Sequence, residues 1–173
     1  DDGDFANFVV DAVVYGPRGL VEDTVDPLGR VTRTFYDDLN RRIALSENHV
    51  NAAISWNGSP TPERWGATGV GGAGDDDRVT TFVYDANGHV LQQVAHLPSD
   101  EQVTLYSYGT NVGTASVTTD SLIASESLLA TVQYPEEGSG EPGGSTYTVA
   151  YAYNRLGEVR AFTDQNGTAH AYT

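Results

Sequence analysis

The sequence contains no cysteine, no methionine and no lysine, and each absence excludes something. Without cysteine there is no disulfide framework, no thiolate metal ligand and no cysteine nucleophile. Without methionine there is no start residue, so we expect a processed or excised part of a longer protein. All nine basic residues are arginines against 24 acidic residues, which gives a formal charge of −15. That charge repels nucleic acid and anionic membranes, so we expect no nucleic-acid binding.

Long apolar runs are missing too. No stretch approaches the roughly 20 residues that a membrane-spanning helix needs, and no signal peptide is recognisable. We therefore expect no membrane insertion. The length of 173 residues fits one domain. The negative charge keeps an exposed sheet soluble and is compatible with Ca²⁺ binding, but no other cofactor is expected.

What the chain does have is a recurring turn signal, seen first in residues 84–88, YDANG. The flanking residues are β-branched or aromatic, as in strands. Asp85 can accept hydrogen bonds from backbone N–H groups two residues on, and Gly88 tolerates positive φ. Two turns fit this stretch: a type I turn closed by a left-handed Gly, or a two-residue Asn-Gly turn.

Five further stretches repeat this signal, beginning at Gly16, Asp26, Asp37, Asn154 and Asp164. The pattern predicts positive φ at Gly88, Gly157, Gly167 and Asn40, because each stands where a left-handed residue closes the turn. Neighbouring turns begin 10 or 11 residues apart, which leaves strands of about six or seven residues between them. This spacing predicts an all-β fold, an antiparallel meander of repeated hairpins.

Three of these stretches resemble the Tyr-Asp (YD) repeat of bacterial RHS proteins: residues 36–41 (YDDLNR), 84–88 (YDANG) and 153–158 (YNRLGE). Residues 26–32 (DPLGRVT) and 164–168 (DQNGT) resemble the alternate half of that repeat. The resemblance implies a very large secreted or surface-attached protein whose repeats coil into a hollow β-shell, which in toxin-bearing members encloses a C-terminal effector. It implies an extracellular or cell-surface location, with neighbouring repeats of a longer parent chain as partners. Tyr36, Tyr84 and Tyr153 then occupy equivalent strand ends, and we expect their rings to stack on neighbouring hairpins as a ladder across one sheet face.

The repeats do not run continuously. We expect a single β-repeat domain over residues 1–173, with repeats near 15–45, 79–96 and 147–173 and with insertions at 46–78, 97–130 and 135–146. The self-cleaving motif of the family continues from Asp-Pro-x-Gly to an apolar residue and a Gly pair. Here Asp26-Pro27-Leu28-Gly29 is followed by Arg30-Val31-Thr32, so the protease function is not carried over. The chain stops within a repeat, as though cut from something longer.

The insertion at 46–78 is the stretch most favourable for a ligand site, since long loops in compact domains are commonly functional or disordered. Trp56 and Trp65 offer flat faces for stacking a sugar, and Glu63 and Arg64 between them can bond its hydroxyls. The alternative is that the tryptophans cover the open end of the sheet. Asp75, Asp76 and Asp77 are candidate Ca²⁺ ligands, although their spacing lacks the Asp-x-Asp-x-Asp alternation of a metal loop and fits a solvated turn.

Two further insertions carry weaker signals. Apolar residues at 122, 123, 128 and 129 suit one short helical turn near 119–130 or a crossing loop. Residues 135–145, PEEGSGEPGGS, indicate a flexible acidic hairpin loop between strands at 131–134 and 146–153, tolerated as an insertion without chemistry.

Evidence for an enzyme is thin. The four histidines, His49, His89, His96 and His170, show no two-His metal spacing, and no Gly-x-Ser-x-Gly elbow is present. A glycoside hydrolase needs two carboxylates about 5–9 Å apart, which the sequence cannot select among 24 acidic residues. If the chain catalyses a reaction, the candidates are Glu63, the three aspartates at 75–77 and the histidines that face a concave side.

Three functions from different classes remain. The first is a structural β-shell segment of a large secreted or surface RHS-like protein. The second is a carbohydrate-binding surface, and the third is a small glycoside or ester hydrolase built on the repeat fragment. Because terminal strands expose unpaired backbone groups, we also expect self-association, such as a homodimer, through residues 5–15 or 168–173.

Overall fold

The computed structural model describes residues 12–49, 78–97, 100–113 and 120–172. Its elements are eleven strands and one short 3₁₀ helix at Ser145–Tyr147. None of the helices in this part of the chain is long and apolar enough to cross a membrane. The strands are β1 (Ala12–Tyr15), β2 (Val21–Val25), β3 (Val31–Tyr36), β4 (Arg42–Glu47), β5 (Arg78–Tyr84), β6 (Val90–His96), β7 (Glu101–Thr110), β8 (Ser125–Gln133), β9 (Thr148–Tyr153), β10 (Val159–Thr163) and β11 (Ala169–Ala171).

The strands form one antiparallel sheet in which their order is the order of the chain, from β1 to β11. Each strand therefore lies beside the one that precedes it and the one that follows it. This confirms the predicted all-β meander. Seven of the ten connections have four or five residues, and so short a connection returns the chain to an adjacent antiparallel position. The connections from β4 to β5, from β7 to β8 and from β8 to β9 are longer, and their strands are nevertheless neighbours in the sheet.

Six of the connections share one backbone geometry. In each turn, the N–H of the first residue donates to the carbonyl of the fifth, and the N–H of the fourth donates to the carbonyl of the first, at 2.9–3.2 Å. The fourth residue has positive φ, as predicted: 91° at Gly88, 80° at Gly157, 78° at Gly167 and 63° at Asn40. Asn87 is not left-handed. Residues 84–88 therefore form the first of the two turns considered, with the Gly closing it.

The first side chain of five of these turns explains the Asp and Asn preference. Its Oδ1 atom accepts two hydrogen bonds, from the N–H groups of the third and fifth residues, at 2.8–3.0 Å. Without this acceptor, those N–H groups would be left to solvent. The turn that begins at Gly16 keeps the backbone bonds without a side-chain acceptor.

The chain divides into two compact units, residues 1–81 with 95–99, and residues 82–94 with 100–173. In the first unit, Ala44 and Val79 are buried beside polar side chains such as Ser46 and Thr81. In the second unit the buried hydrophobic residues are Val94, Val103, Val132, Ala152, Tyr153 and Ala161. The prediction of a single domain over residues 1–173 stays a prediction.

The helical turn predicted near 119–130 is wrong for the described residues. Residues 120–124 lack regular structure and residues 125–133 form β8, which pairs with β7 on one side and β9 on the other. The apolar spacing that suggested a helical turn is a weak signal. A strand here pairs the backbone N–H and C=O groups of β8 with those of β7 and β9, whereas a helical turn would leave the groups of those neighbours without partners.

Of the three repeat tyrosines, Tyr153 is buried, whereas Tyr36 and Tyr84 are half-buried. Their stacking as a ladder stays a prediction. The Tyr36 hydroxyl donates to the carbonyl of Val21 at 2.9 Å, and the Tyr153 hydroxyl donates to that of Leu129 at 2.7 Å. In both cases the acceptor lies on a strand that precedes the tyrosine. Burial raises the pKa of Tyr153, with a smaller contribution from nearby tyrosines.

Candidate functional site

The residues proposed from sequence as ligand contacts lie outside the described residues. This holds for the sugar-binding set and for the calcium set, so both stay predictions. In the part of the chain that is described, no group of three or more His, Asp or Glu side chains is arranged to hold a metal ion. The predicted ligand residues that lie outside the described residues are Trp56, Glu63, Arg64, Trp65, Asp75, Asp76 and Asp77.

Two of the four histidines are buried against hydroxyl groups in the first unit. The Ser46 Oγ atom lies 3.1 Å from His49 Nδ1, and the Thr81 Oγ1 atom lies 2.9 Å from His96 Nε2. A serine beside an imidazole has the spacing of a nucleophile and its base. Ser46, however, is 0% exposed, so its hydroxyl is closed to a substrate in this structure. The pair therefore lends the hydrolase hypothesis no support.

The other two histidines contact turn aspartates of the second unit. His89 Nδ1 lies 2.9 Å from Asp85 Oδ2, and its ring stacks on Tyr108 with centroids 4.5 Å apart. His170 Nε2 lies 3.0 Å from Asp164 Oδ2, and its ring stacks on Phe162 at the same centroid distance. Each imidazole thus bridges a turn carboxylate and an aromatic ring, which is a structural contact.

These contacts favour the ionised turn carboxylates. The hydrogen bond from His170, followed by that from the Thr168 N–H, lowers the pKa of Asp164. At Asp85, burial works against ionisation, but hydrogen bonds from His89 and from the backbone still leave the pKa lowered. The aspartates of the repeats therefore have a structural role in the turns.

A cavity of about 480 Å³ opens at the connection between β8 and β9, within the second unit. We refer to it as the loop cavity. Its volume falls in the range of small-molecule sites, about 300–1,000 Å³. It is lined by two aromatic rings, three carboxylates, two amides and loop backbone: Tyr134, Tyr147, Asp100, Glu136, Glu137, Gln102, Gln165, Pro135, Gly138 and Gly140.

The two tyrosines are joined by a backbone hydrogen bond across the neck of the loop. The Tyr134 N–H donates to the Tyr147 carbonyl at 2.9 Å, and the Gly143 N–H donates to the Tyr134 carbonyl at 3.0 Å. Residues paired across antiparallel strands project their side chains to the same face. A Cβ at Gly143 would overlap the Tyr147 ring, so the absence of a side chain there lets this ring lie against the loop backbone.

One hydrogen bond from β7 and one from β8 hold the loop onto the sheet. The Val103 N–H donates to the Gly140 carbonyl at 2.8 Å, and the Gln133 amide donates to the Gly143 carbonyl. Gly140 has a φ of 69°, and a Cβ there would overlap the carbonyl oxygen of Glu101, so only Gly fits. The predicted acidic hairpin loop is therefore a connection tied to the sheet at several points.

The electrostatic character of the loop cavity is one-sided. Asp100, Glu136 and Glu137 line it, and no arginine or histidine is among its lining residues in the described chain. The second unit as a whole carries ten acidic residues against two arginines, Arg155 and Arg160. The cavity therefore has a negative potential that no basic neighbour in its wall offsets.

A second, apolar groove of about 630 Å³ lies on one face of β9 to β11, lined by Val149, Tyr151, Val159, Phe162 and Tyr172. Its described lining includes no charged or amide side chain, and its side-chain polar atoms are the hydroxyls of Tyr151 and Tyr172, so it has few groups to orient a small ligand. The loop cavity is therefore the better candidate for a site.

Sequence reasoning interpreted residues 135–145 as an insertion without chemistry, and so missed the loop cavity. One signal could have found it: tyrosines stand on both sides of this acidic Gly- and Pro-rich segment, at 134 and 147. Asp100, Gln102 and Gln165 come from distant parts of the chain, and only the pairing of the strands brings them to the same place.

Comparison with known proteins found no family model that matches the chain and no matching curated protein.

Proposed function

We propose that the chain is a structural segment of repetitive β-sheet, of the RHS or YD-repeat type, in a larger secreted or surface-attached protein. The observation that carries this proposal is the single turn geometry that recurs in six hairpins and links strands that are consecutive in the sheet. A chain that uses one local solution repeatedly builds an extended sheet, in which each strand needs its neighbours to satisfy its backbone.

The strands at the two ends of the sheet support this role. Among the described strands, β1 is paired only with β2, and β11 only with β10. All residues of both end strands have exposed side chains. Such edges offer unpaired N–H and C=O groups to a further strand, so neighbouring repeats are the partners that fit them.

The edge of β11 can be described residue by residue. Tyr172 donates to the Arg160 carbonyl and Asp164 donates to the Thr168 carbonyl, so Tyr172 and Thr168 face β10. Because alternate residues of an antiparallel strand direct their backbone groups to opposite sides, those of Ala169 and Ala171 point away from the sheet.

The test is light scattering on the isolated chain over a concentration series. We expect self-association that Ala171→Pro weakens, because proline removes an outward N–H without breaking a bond to β10. Ala171→Val is the matched control, since it keeps that N–H, and should associate like the parent chain. A strict monomer at high concentration, with both end strands unpaired, would argue against a segment that recruits neighbouring strands.

The carbohydrate-binding and hydrolase alternatives stay predictions. The first rests on Trp56 and Trp65, and the second on Glu63 and the aspartates at 75–77, all of which lie outside the described residues.

A further inference from the structure

The loop cavity has features of a binding site that a structural sheet segment does not require. A hairpin connection needs only a short turn, as the six repeated turns show. The connection of residues 134–147 instead has two left-handed glycines, a 3₁₀ turn and one hydrogen bond each to β7 and β8, and its two tyrosines line a cavity. Loops positioned by a rigid scaffold are where binding residues commonly lie.

We propose that the loop cavity binds a compact organic cation, an alkylammonium or guanidinium group, carried by a free amine or by a basic side chain. Tyr134 and Tyr147 line the cavity, and aromatic rings attract a cation through their quadrupoles. Asp100, Glu136 and Glu137 accept hydrogen bonds from its N–H groups, and charged acceptors make these bonds shorter and stronger. Gln102 and Gln165 can accept further N–H groups through their amide oxygens.

The charge of the wall selects among ligands. An anionic ligand, such as a phosphate or an acidic sugar, would meet three carboxylates and no lining arginine or histidine among the described residues. A neutral sugar could stack on the rings, but it would gain nothing from the negative potential of the second unit. A cation uses both the rings and the potential. This inference concerns the loop cavity alone and does not depend on the repeat-segment proposal.

The experiment is a titration of the full chain with small probes, followed by amide NMR shifts and calorimetry. The main probe is the peptide acetyl-Gly-Arg-Gly-amide, and its control replaces arginine by citrulline, which has nearly the same shape and no charge. Spermidine represents a free amine and maltotriose a neutral sugar. We expect saturable binding of the arginine peptide or spermidine, with shifts confined to residues around the loop cavity, and no saturation by citrulline peptide.

Two matched pairs of variants separate the site from the general charge of the chain. Tyr147→Ala should weaken binding about tenfold, as loss of a central aromatic anchor does, whereas Tyr15→Ala, at an exposed tyrosine of the first unit, should not. Glu137→Gln should weaken binding severalfold. Glu126→Gln removes the same charge from an exposed position on β8 and should leave binding unchanged. Glu137 is exposed, so its variant keeps the fold and decides the question even if Tyr147→Ala does not fold.

Each outcome bears on the proposal. Tighter binding of the arginine peptide than of spermidine identifies a basic side chain as the source, and the reverse identifies a free amine; both support a cation site. Equal binding of the citrulline peptide would show that charge is not recognised. Equal weakening of binding by Glu126→Gln and Glu137→Gln would show that the cation responds to the net charge of the chain and not to the loop cavity, which would overturn the proposal. Saturation by maltotriose in preference to both cations, or no saturation by either cation, would overturn the proposal.

Discussion

The repeated turn can be tested by adding one methyl group at Gly88. This residue has a φ of 91°, and a Cβ built on it meets no atom within 4 Å. The substitution Gly88→Ala therefore introduces no clash. It lowers the free energy of unfolding only because a residue with a Cβ atom disfavours the left-handed backbone of this position. Gly144 is the matched control in the same unit: its Cβ site is equally open, but its φ is −73°.

The expected free-energy changes follow from the two backbones. A side chain in the left-handed region costs about 1–2 kcal/mol. Replacing Gly by Ala also restricts the unfolded chain, which stabilises the fold by about 0.4–1 kcal/mol. Gly88→Ala should therefore destabilise by roughly 0–1.6 kcal/mol, whereas Gly144→Ala should stabilise by about 0.4–1 kcal/mol. The difference between the two variants isolates the backbone strain, about 1–2 kcal/mol.

The measurement is urea unfolding of both variants and the parent chain, followed by a signal from the tyrosines of the second unit. Unchanged slopes with shifted midpoints show that stability alone has changed. If Gly88→Ala and Gly144→Ala move the midpoint in the same direction by the same amount, the left-handed closure of the turn contributes nothing, and the common turn geometry loses its energetic basis.

Three other changes test the same contacts. Tyr153→Phe removes the bond to Leu129 and should lower the free energy of unfolding by about 0.5–1.5 kcal/mol, whereas Tyr172→Phe, at a 60% exposed ring, should not. Asn154→Asp should destabilise its turn, because it replaces the amide that donates to Glu158 with a second carboxylate. Adding Glu158→Arg should restore the stability, as unfolding midpoints would show. The folded protein lowers the pKa of three turn aspartates below the unfolded value of 3.8: Asp26, Asp85 and Asp164. Their ionised forms therefore stabilise the fold above that pH, and protonation removes this stabilisation. The melting temperature should fall as the pH drops from about 5 to 2.

The turns were predictable from sequence because their chemistry is local. Five consecutive residues contain the acceptor, the left-handed residue and both backbone bonds, so residues 85–89 determine their own geometry with little help from the rest of the chain. Asn40 shows the strength of the rule, since it occupies a position where the other five repeated turns have Gly and keeps positive φ. The meander then follows from the spacing of such turns.

The strands of the interrupted stretch were not predictable in the same way. β7 lies within the insertion expected at 97–130 and β8 begins there, and their pairing contains two register shifts, after Ser107 and after Tyr108. A strand with such irregularities has no clean alternation of polar and apolar residues. The loop cavity could not be predicted from sequence either, because its lining residues come from three separate parts of the chain, 100–102, 134–147 and 165.

In four of the six repeated turns, the side chain of the fifth residue is matched to that of the first. Where the turn begins with Asp26, Asp37 or Asp85, the fifth residue is a cation or an imidazole that reaches the second carboxylate oxygen: Arg30 at 2.6 Å, Arg41 at 2.7 Å and His89 at 2.9 Å. Where it begins with Asn154, the polarity reverses, because the amide donates to the Glu158 carboxylate at 2.8 Å. An acceptor is thus followed by a donor, and a donor by an acceptor. This complementarity is a property of the pair and not of composition, since a charge of −15 alone would favour no such matching. The hairpins are therefore closed by side chains as well as by the backbone, and this accounts for the placement of two of the chain's few arginines beside turn aspartates.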